Sequence, residues 1–287
     1  MALTPLRVTA LRHSAFYSPL LFAEKEGLQP HYAPSTPEKP AVQQLQSGEA
    51  HVSQLAVAAS FASLEKAEKQ DLVHFANINE RDGFFLVGRK KSFDWKDLEN
   101  KEVLVDHLFQ PLALIKYACH LKKVDYSSIK VVDAGGPDAM EAAFREGRGD
   151  FVHLQGPAAQ QLEHDGVGAV AASCGEAIGP VAFSSLCAQR SWLQTDMAKA
   201  FLRAYGKSRA LVAEITPEEV AEVVQVCFPE IQRAVLVETI ATYQRMGCWQ
   251  GTEAISTQSY ETLLDAFMYA GVITKRHPYD AAIALME

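Results

Sequence analysis

Residues 6–23 read LRVTALRHSAFYSPLLFA and join a strand, a polar and aromatic turn, and the start of a helix. The apolar run Leu6–Leu11 predicts a buried strand, and Arg12–Tyr17 form the turn that follows it. Ser18 is a favoured N-cap residue, and Pro19 suits the first helical position because no N–H is needed there. The helix therefore starts beside the turn, where its unpaired N–H groups favour an anionic or carbonyl-bearing ligand.

The same design recurs along the chain. Short apolar runs end in polar, aromatic or glycine-proline turns that begin at Arg12, Gln54, Asp106 and Gln155, and each turn leads into a helical stretch. In an open α/β sheet the loops that leave the carboxyl ends of the strands converge on one crevice, where ligands bind. The pattern predicts a cleft that captures a small molecule.

Composition and charge exclude several classes of function. The 287 residues are 48% hydrophobic and 22% charged, which is typical of a folded globular chain, and no stretch has the length of a membrane span. The formal net charge of −8 argues against a protein that binds a nucleic-acid backbone. We therefore expect neither a nucleic-acid partner nor direct membrane insertion.

The amino-terminal residues do not resemble a signal peptide, because Arg7, Arg12 and His13 interrupt any apolar region. As the sequence stands, we expect a cytoplasmic protein; a leader removed from the mature chain would make it periplasmic.

The cysteines and histidines predict no metal site. The five cysteines contain no Cys-x-x-Cys pair, and their odd number does not indicate a full disulfide framework. Among the nine histidines, no pair has the spacing of metal ligands on one helix face. We expect buried, reduced thiols and no metal or cofactor.

Strands that alternate with helices predict an α/β fold with two domains. Residues 1–88 together with 188–287 are predicted to form domain I, and residues 89–187 domain II, with the ligand cleft between them. Phe84–Val87 leads into the polar segment Gly88–Lys91, where we place the first crossing, and Val181–Leu186 is predicted to return the chain. Two such crossings would make a two-strand hinge that suits closure around a ligand.

The carboxyl-terminal third is predicted to be helical. Thr195, Thr216 and Thr257 are candidate N-caps, and Pro217-Glu218-Glu219 is a strong helix start.

Several segments resemble one known family. They are Arg12–Leu20 with Ala23 and Gly27-Leu28, Gly48–Val52, Asp97–Val105, and Phe144–Phe151 followed by Gly156-Pro157. In order and spacing, over about residues 5–210, they resemble the type II periplasmic-binding-protein fold and, within it, the NMT1/THI5-like group. That group includes the substrate-binding proteins of ABC importers for sulfonates, nitrate and pyrimidines, and also the THI5 pyrimidine synthases.

The resemblance implies a two-lobed solute-binding protein that closes around a small polar or aromatic metabolite, with an ABC permease as a possible partner. Family transport receptors are normally exported. The cysteine-rich iron motif of the synthases, Cys-Cys-Cys-Phe-Cys, has no counterpart in this sequence.

We predict that the ligand-binding residues lie in the turns at the strand ends, because pockets combine aromatic walls with a few placed polar groups. The candidates are Arg12, His13, Ser14, Phe16, Tyr17, Gln54, Asn79, Asp106, His107, Phe109, Gln110, Gln155, Gly156 and Glu176. Structural alternatives exist for most of them: an aromatic ring that plugs the interface, a capped turn at Gln54, or a turn formed by Asp106. Glu176 could instead shape the return crossing.

An enzyme of pyrimidine or thiamin-precursor biosynthesis is the alternative function. A cleft lysine such as Lys25 or Lys116 would then bind a cofactor aldehyde as a Schiff base. No G-x-S-x-G, H-E-x-x-H or P-loop is present, and no nucleophile is paired with a base at a recognisable spacing. We expect no catalytic residues and favour the binding protein.

Overall fold

The computed structural model describes residues 5–11, 14–22, 31–68 and 71–286. Its strands are β1 (Arg7–Ala10), β2 (His31–Pro34), β3 (Val52–Ala56), β4 (Leu72–Asn79), β5 (Phe84–Gly88), β6 (Glu102–Leu104), β7 (Lys130–Val132), β8 (Phe151–Gln155), β9 (Ala169–Ser173) and β10 (Ser184–Gln189). Most lie where the apolar runs predict them. β2 falls in a proline-rich segment, and β9 is composed largely of alanine, so neither has a strong strand pattern.

The helices follow the strands in the predicted alternation. They are α1 (Ser18–Phe22), α2 (Ala41–Ser47), α3 (Phe61–Glu65), α4 (Phe109–Leu121), α5 (Pro137–Arg145), α6 (Ala158–His164), α7 (Cys174–Ile178), α8 (Asp196–Glu214), α9 (Pro217–Val224), α10 (Arg233–Arg245), α11 (Thr257–Tyr269) and α12 (Tyr279–Ala282). Helix α4 begins at Phe109, so Pro111 lies in its first turn. The residues that follow α1, 23–30, lie outside the described residues.

The described strands form two five-stranded sheets of the same design. The first has the order β2-β1-β3-β10-β4 and the second the order β7-β6-β8-β5-β9. In the first sheet β10 is antiparallel to β3 and β4, and in the second β5 is antiparallel to β8 and β9, while the other pairs are parallel. β5 and β10 are the strands that follow each crossing. We call each sheet with its helices a lobe, the first and the second.

The chain crosses between the lobes in two short connectors, at residues 80–83 and 179–183. Both crossings come before the predicted boundaries at 88/89 and 187/188, because β5 belongs wholly to the second sheet and β10 wholly to the first. The connectors run side by side: the N–H of Val181 donates to the carbonyl of Glu80 at 2.9 Å, and that of Phe183 to the carbonyl of Asn79 at 3.4 Å. The two passages are therefore paired, as a two-strand hinge requires.

The described part of the carboxyl-terminal third is helical beyond β10, apart from an isolated bridge between Ile283 and His74. Thr195 caps α8, and Thr216 forms a capping box with Glu219 at the start of α9. Ser256, one residue before the predicted Thr257, caps α11. No helix in the described ranges has both the length and the apolar character needed to cross a membrane.

A seam between the two lobes

A hydrogen bond joins the first strand-end loop of one lobe to that of the other. The hydroxyl of Ser14 donates to Oε1 of Gln155 at 2.8 Å, and both side chains are buried. Ser14 follows β1 and accepts a bond from the N–H of Phe16, while Gln155 is the last residue of β8. The sequence therefore places two predicted ligand residues correctly at strand ends, and the fold brings them into contact.

Phe16 fills the space beside this bond. Its carbonyl accepts from Nδ2 of Asn79 at 2.7 Å and from Nε1 of Trp249 at 3.1 Å. Its fully buried ring lies 5.5 Å from the ring of Phe183 in a T-shaped contact and 4.7 Å from that of Tyr243. Phe16 thus packs against helix α10 and against the second connector, residues 179–183, which we call the return connector. This is expected for a ring that plugs the interface.

Tyr243 links the second lobe to the first connector, residues 80–83. Its hydroxyl accepts from the N–H of Gly156 at 2.8 Å and donates to the carbonyl of Gly83 at 3.0 Å. Sequence reasoning missed this residue, because helical periodicity in α10 indicates only that Tyr243 is buried.

Gln110 reaches the same region from the second lobe. It is buried in the first turn of α4, and its Nε2 donates to the carbonyl of Phe183 at 2.8 Å. Phe183 therefore contacts both Gln110 and Phe16, so the loops after β1 and after β6 meet at the return connector. We call this region the seam; its members are Ser14, Phe16, Asn79, Gly83, Gln110, Gln155, Gly156, Phe183 and Tyr243.

Six buried polar atoms in and beside the seam have no hydrogen-bond partner in the described structure. Within the described part of the chain, no hydrogen bond is made by Nε2 of Gln155, Oδ1 of Asn79, Oε1 of Gln110, Oδ2 of Asp82 or either ring nitrogen of His153. A buried polar atom left unpaired costs about 1–3 kcal/mol, so such atoms in a folded protein usually bind water or a ligand. They form a mixed set of donors and acceptors next to aromatic rings.

Burial holds two ionisable side chains here, those of Asp82 and His153, in neutral forms. Burial raises the pKa of Asp82 to about 8, and the nearby carboxylate of Asp106 adds to the rise. The hydrogen bond that Oδ1 of Asp82 accepts from the N–H of Phe84 acts in the opposite direction and lowers this pKa. Burial lowers the pKa of His153 to about 3. At neutral pH Asp82 is therefore largely a carboxylic acid and His153 a neutral imidazole. Among the described residues, no group of three metal-ligating side chains could hold a metal ion.

Several predicted ligand residues have structural roles instead, as their alternative interpretations proposed. Oε1 of Gln54 accepts from the N–H of Leu11 at 3.3 Å, and its Nε2 donates to Oγ of Ser184 at 3.4 Å. The buried side chain therefore links β3 to the residue after β1 and to the start of β10. Asp106 forms a turn by accepting from the N–H of Leu108. Tyr17 is buried beside Phe16, with 6.1 Å between the rings.

Other predicted residues face solvent instead of the seam. His107 is exposed, with Nδ1 2.7 Å from the carbonyl oxygen of Val105, and Glu176 is exposed on α7. Phe109 is 45% exposed and packs on Phe267 of α11 at 5.1 Å between ring centres. Arg12 and His13 lie outside the described residues.

A sizeable cavity lies away from the predicted ligand residues. About 520 Å³ in volume, it lies in the first lobe between α2, α3 and the sheet. His74 is at its base, 3.0 Å from Oγ of Ser60 and 2.7 Å from Oγ of Ser185, and its buried ring has a pKa lowered to about 4. None of the predicted ligand residues lines this cavity.

The chain is similar in sequence or in fold to known proteins that are named as binding proteins or binding components. A protein of Bacillus subtilis (strain 168) named "Putative binding protein YtlA" is 25% identical over 293 residues, which cover 98% of this chain and 88% of that protein. The ligand-binding component of an ABC-type import system from Staphylococcus aureus, with zinc bound, has a TM-score of 0.77 at 15% identity and covers 98% and 97% of the two chains. The alkanesulfonate-binding protein SsuA from Xanthomonas axonopodis pv. citri, bound to MOPS, has a TM-score of 0.73 at 16% identity and covers 98% of each chain.

These solved structures share the two-lobed architecture described above. The profile of one family, described as NMT1/THI5 like, matches residues 22–220, which is more than half of the sequence. The chain therefore belongs to the NMT1/THI5 like family.

Proposed function

We propose that this protein is a solute-binding component that closes its two lobes over a small polar or aromatic metabolite at the seam. The observation that carries the proposal is the set of unpaired, buried polar atoms around the Ser14–Gln155 hydrogen bond. Pockets for small molecules typically combine aromatic walls with a few fixed polar groups, and the seam has both. The names of the relatives, a binding protein and components that bind an importer's ligand, agree with this role.

Closure would draw its free energy from contacts that only the closed form makes. A ligand that touches both lobes favours that form by its difference in affinity for the two states. The paired connectors at residues 80–83 and 179–183 allow one lobe to rotate against the other with little change inside either sheet.

An ABC permease that recognises the closed shape is the partner we propose, in keeping with the importer component from Staphylococcus aureus. Such a permease would receive the solute on the outer side of the cytoplasmic membrane, and we propose that this protein works there.

The structure gives the enzyme alternative little support. Lys116, one of the two lysines considered for a Schiff base, lies on α4 with Nζ 5.6 Å from the ring of Tyr126. Lys25 lies outside the described residues. We therefore propose a binding role without catalysis.

The experiment that tests this function is native mass spectrometry of freshly purified protein. We expect a population heavier than the bare chain by the mass of one small molecule, which denaturation releases. Calorimetry then titrates the released compound into wild type and into Gln110→Ala, with Gln258→Ala, an exposed position on α11, as the control. A protein that carries no compound and binds none from a cell extract would contradict the proposal.

A further inference from the structure

His153 is placed to take part in the seam although nothing in the sequence singled it out. It lies on β8 two residues before Gln155, and side chains two apart along a strand share one face. Its ring is fully buried and lies 4.5 Å from that of Phe84, inclined by 30°. Phe84 in turn lies 6.2 Å from Phe183, a member of the seam. A continuous layer of rings therefore connects His153 to the site.

Both ring nitrogens of His153 lack a partner among the described residues. A neutral imidazole carries one donor and one acceptor, and burying both unsatisfied is costly. A structural histidine would normally bind a carbonyl or a carboxylate through at least one nitrogen, as His74 binds two serines in the first lobe. His153 is instead left with a donor and an acceptor to offer.

The charged side chains around the seam limit the charge of a ligand that could bind there. Two carboxyl groups, those of Asp82 and Asp106, are buried close to each other in this region. Arg209 is the only buried lysine or arginine within the described residues, and its Nη1 and Nη2 donate to the carbonyls of Gly251 and Gln250. An anion enclosed here would lose its hydration near the carboxylate of Asp106 and would find no cation buried at the seam among the described residues.

We propose that the ligand of the seam is an uncharged molecule with both hydrogen-bond donors and acceptors, and that His153 contacts it. The inference rests on the proposed function and narrows it to a class of ligand. Amide groups of Gln110, Asn79 and Gln155 offer donors and acceptors of the same neutral kind. The surrounding rings suit a flat molecule. In this respect the chain would differ from the alkanesulfonate-binding protein whose fold it shares.

The test compares ligands of different charge by calorimetry at pH 7. Nitrate and methanesulfonate are the anionic probes; cytosine, uracil, nicotinamide and the compound released from the purified protein complete the set. We expect the released compound to be uncharged at pH 7 and to bind, and the two anions neither to bind nor to displace it. An anion that binds, and whose binding is lost in Arg12→Ala, would overturn the inference and leave the proposed function standing. A protein that binds no small molecule would overturn both.

The role of His153 is tested separately. His153→Phe keeps a flat ring on Phe84 and removes both unpaired nitrogens, so we expect unchanged or higher stability with affinity for the released compound reduced at least tenfold. His153→Gln, which restores a donor and an acceptor, should recover part of the affinity and remains informative if the phenylalanine variant does not fold. Equal affinity in wild type and either folded variant, with only stability altered, would show that His153 has a structural role and overturn its assignment.

Discussion

Ser14 of the first lobe and Gln155 of the second are joined by a buried hydrogen bond of 2.8 Å, although 141 positions separate them in the chain. The bond can form only when the loops after β1 and β8 are in contact, so the opening of the lobes that we propose would break it. A typical buried bond of this kind contributes about 0.5–1.5 kcal/mol net, which is enough to shift a closed population severalfold.

Ser14→Ala should therefore weaken ligand binding as well as folding. Because the hydroxyl also caps the turn that follows it, we expect at most about 1–2 kcal/mol less stability and a two- to tenfold loss of ligand affinity. Calorimetry and urea unfolding measure the two effects. Ser47→Ala, at an exposed position in α2, is the control, and an affinity in Ser14→Ala equal to that of the control would refute the prediction.

Gly156→Ala should disturb the seam by crowding. A Cβ there would lie 2.7 Å from Cγ2 of Thr239 and 2.9 Å from the hydroxyl of Tyr243. Overpacking of this kind costs about 1–3 kcal/mol, and opening of the lobes would relieve it. We expect a lower unfolding midpoint in urea and weaker ligand binding. Gly136→Ala is the matched control, since nothing lies within 4 Å of its added Cβ and its φ of −70° suits alanine.

Tyr243→Phe removes the hydroxyl that links Gly156 to Gly83. Two buried backbone groups would lose their partner, so we expect the free energy of unfolding to fall by about 1–3 kcal/mol. Urea unfolding checks this, and Tyr269→Phe, whose side chain is partly exposed on α11, serves as the control. Equal stability in the two variants would mean that the link across the connector contributes nothing.

Asp82 should make stability depend on pH. Its pKa in the folded protein, about 8, lies above the ordinary value of 3.8, so folding takes up a proton between these values. The free energy of unfolding should then fall as pH rises from about 4 to about 8, by at most about 1.4 kcal/mol per pH unit from this group.

Asp82→Asn keeps an acceptor for the N–H of Phe84 and removes the titration. We expect the free energy of unfolding of the variant, minus that of wild type, to be larger at pH 8 than at pH 5. Urea unfolding at both pH values measures the difference, with Asp138→Asn, at an exposed position in α5, as the control. A difference between variant and wild type that does not change with pH would contradict this assignment of the proton.

Much of the architecture could be predicted from local sequence patterns. The run at residues 6–11 predicts β1, and the Thr216–Glu219 capping box marks the start of α9. These features depend on neighbouring residues alone. The crossings could not be placed to the residue, because β5 is apolar and β10 is buried along almost their whole lengths, so neither strand shows which sheet it joins.

The site was predictable only where a side chain follows a strand. Ser14 and Gln155 are at strand ends, and parallel strands bring such loops together. Tyr243 and Trp249 reach the seam from the carboxyl-terminal helical layer, about 90 positions after Gln155, and no local pattern records that packing. His153 looks like one more buried residue of a strand until its unpaired nitrogens are seen. Phe109 and His107 were predicted from a repeated loop design, but the start of α4 turns them outward.

The central claim is that the lobes close at the seam over a ligand, and small-angle X-ray scattering tests it most directly. The protein is freed of small molecules by dialysis in denaturant, refolded, and measured with and without the released compound. We predict a larger radius of gyration without the compound and, with it, a decrease to the value calculated from the closed structure. A radius that is the same in both samples, although calorimetry shows that the compound binds, would contradict closure at the seam.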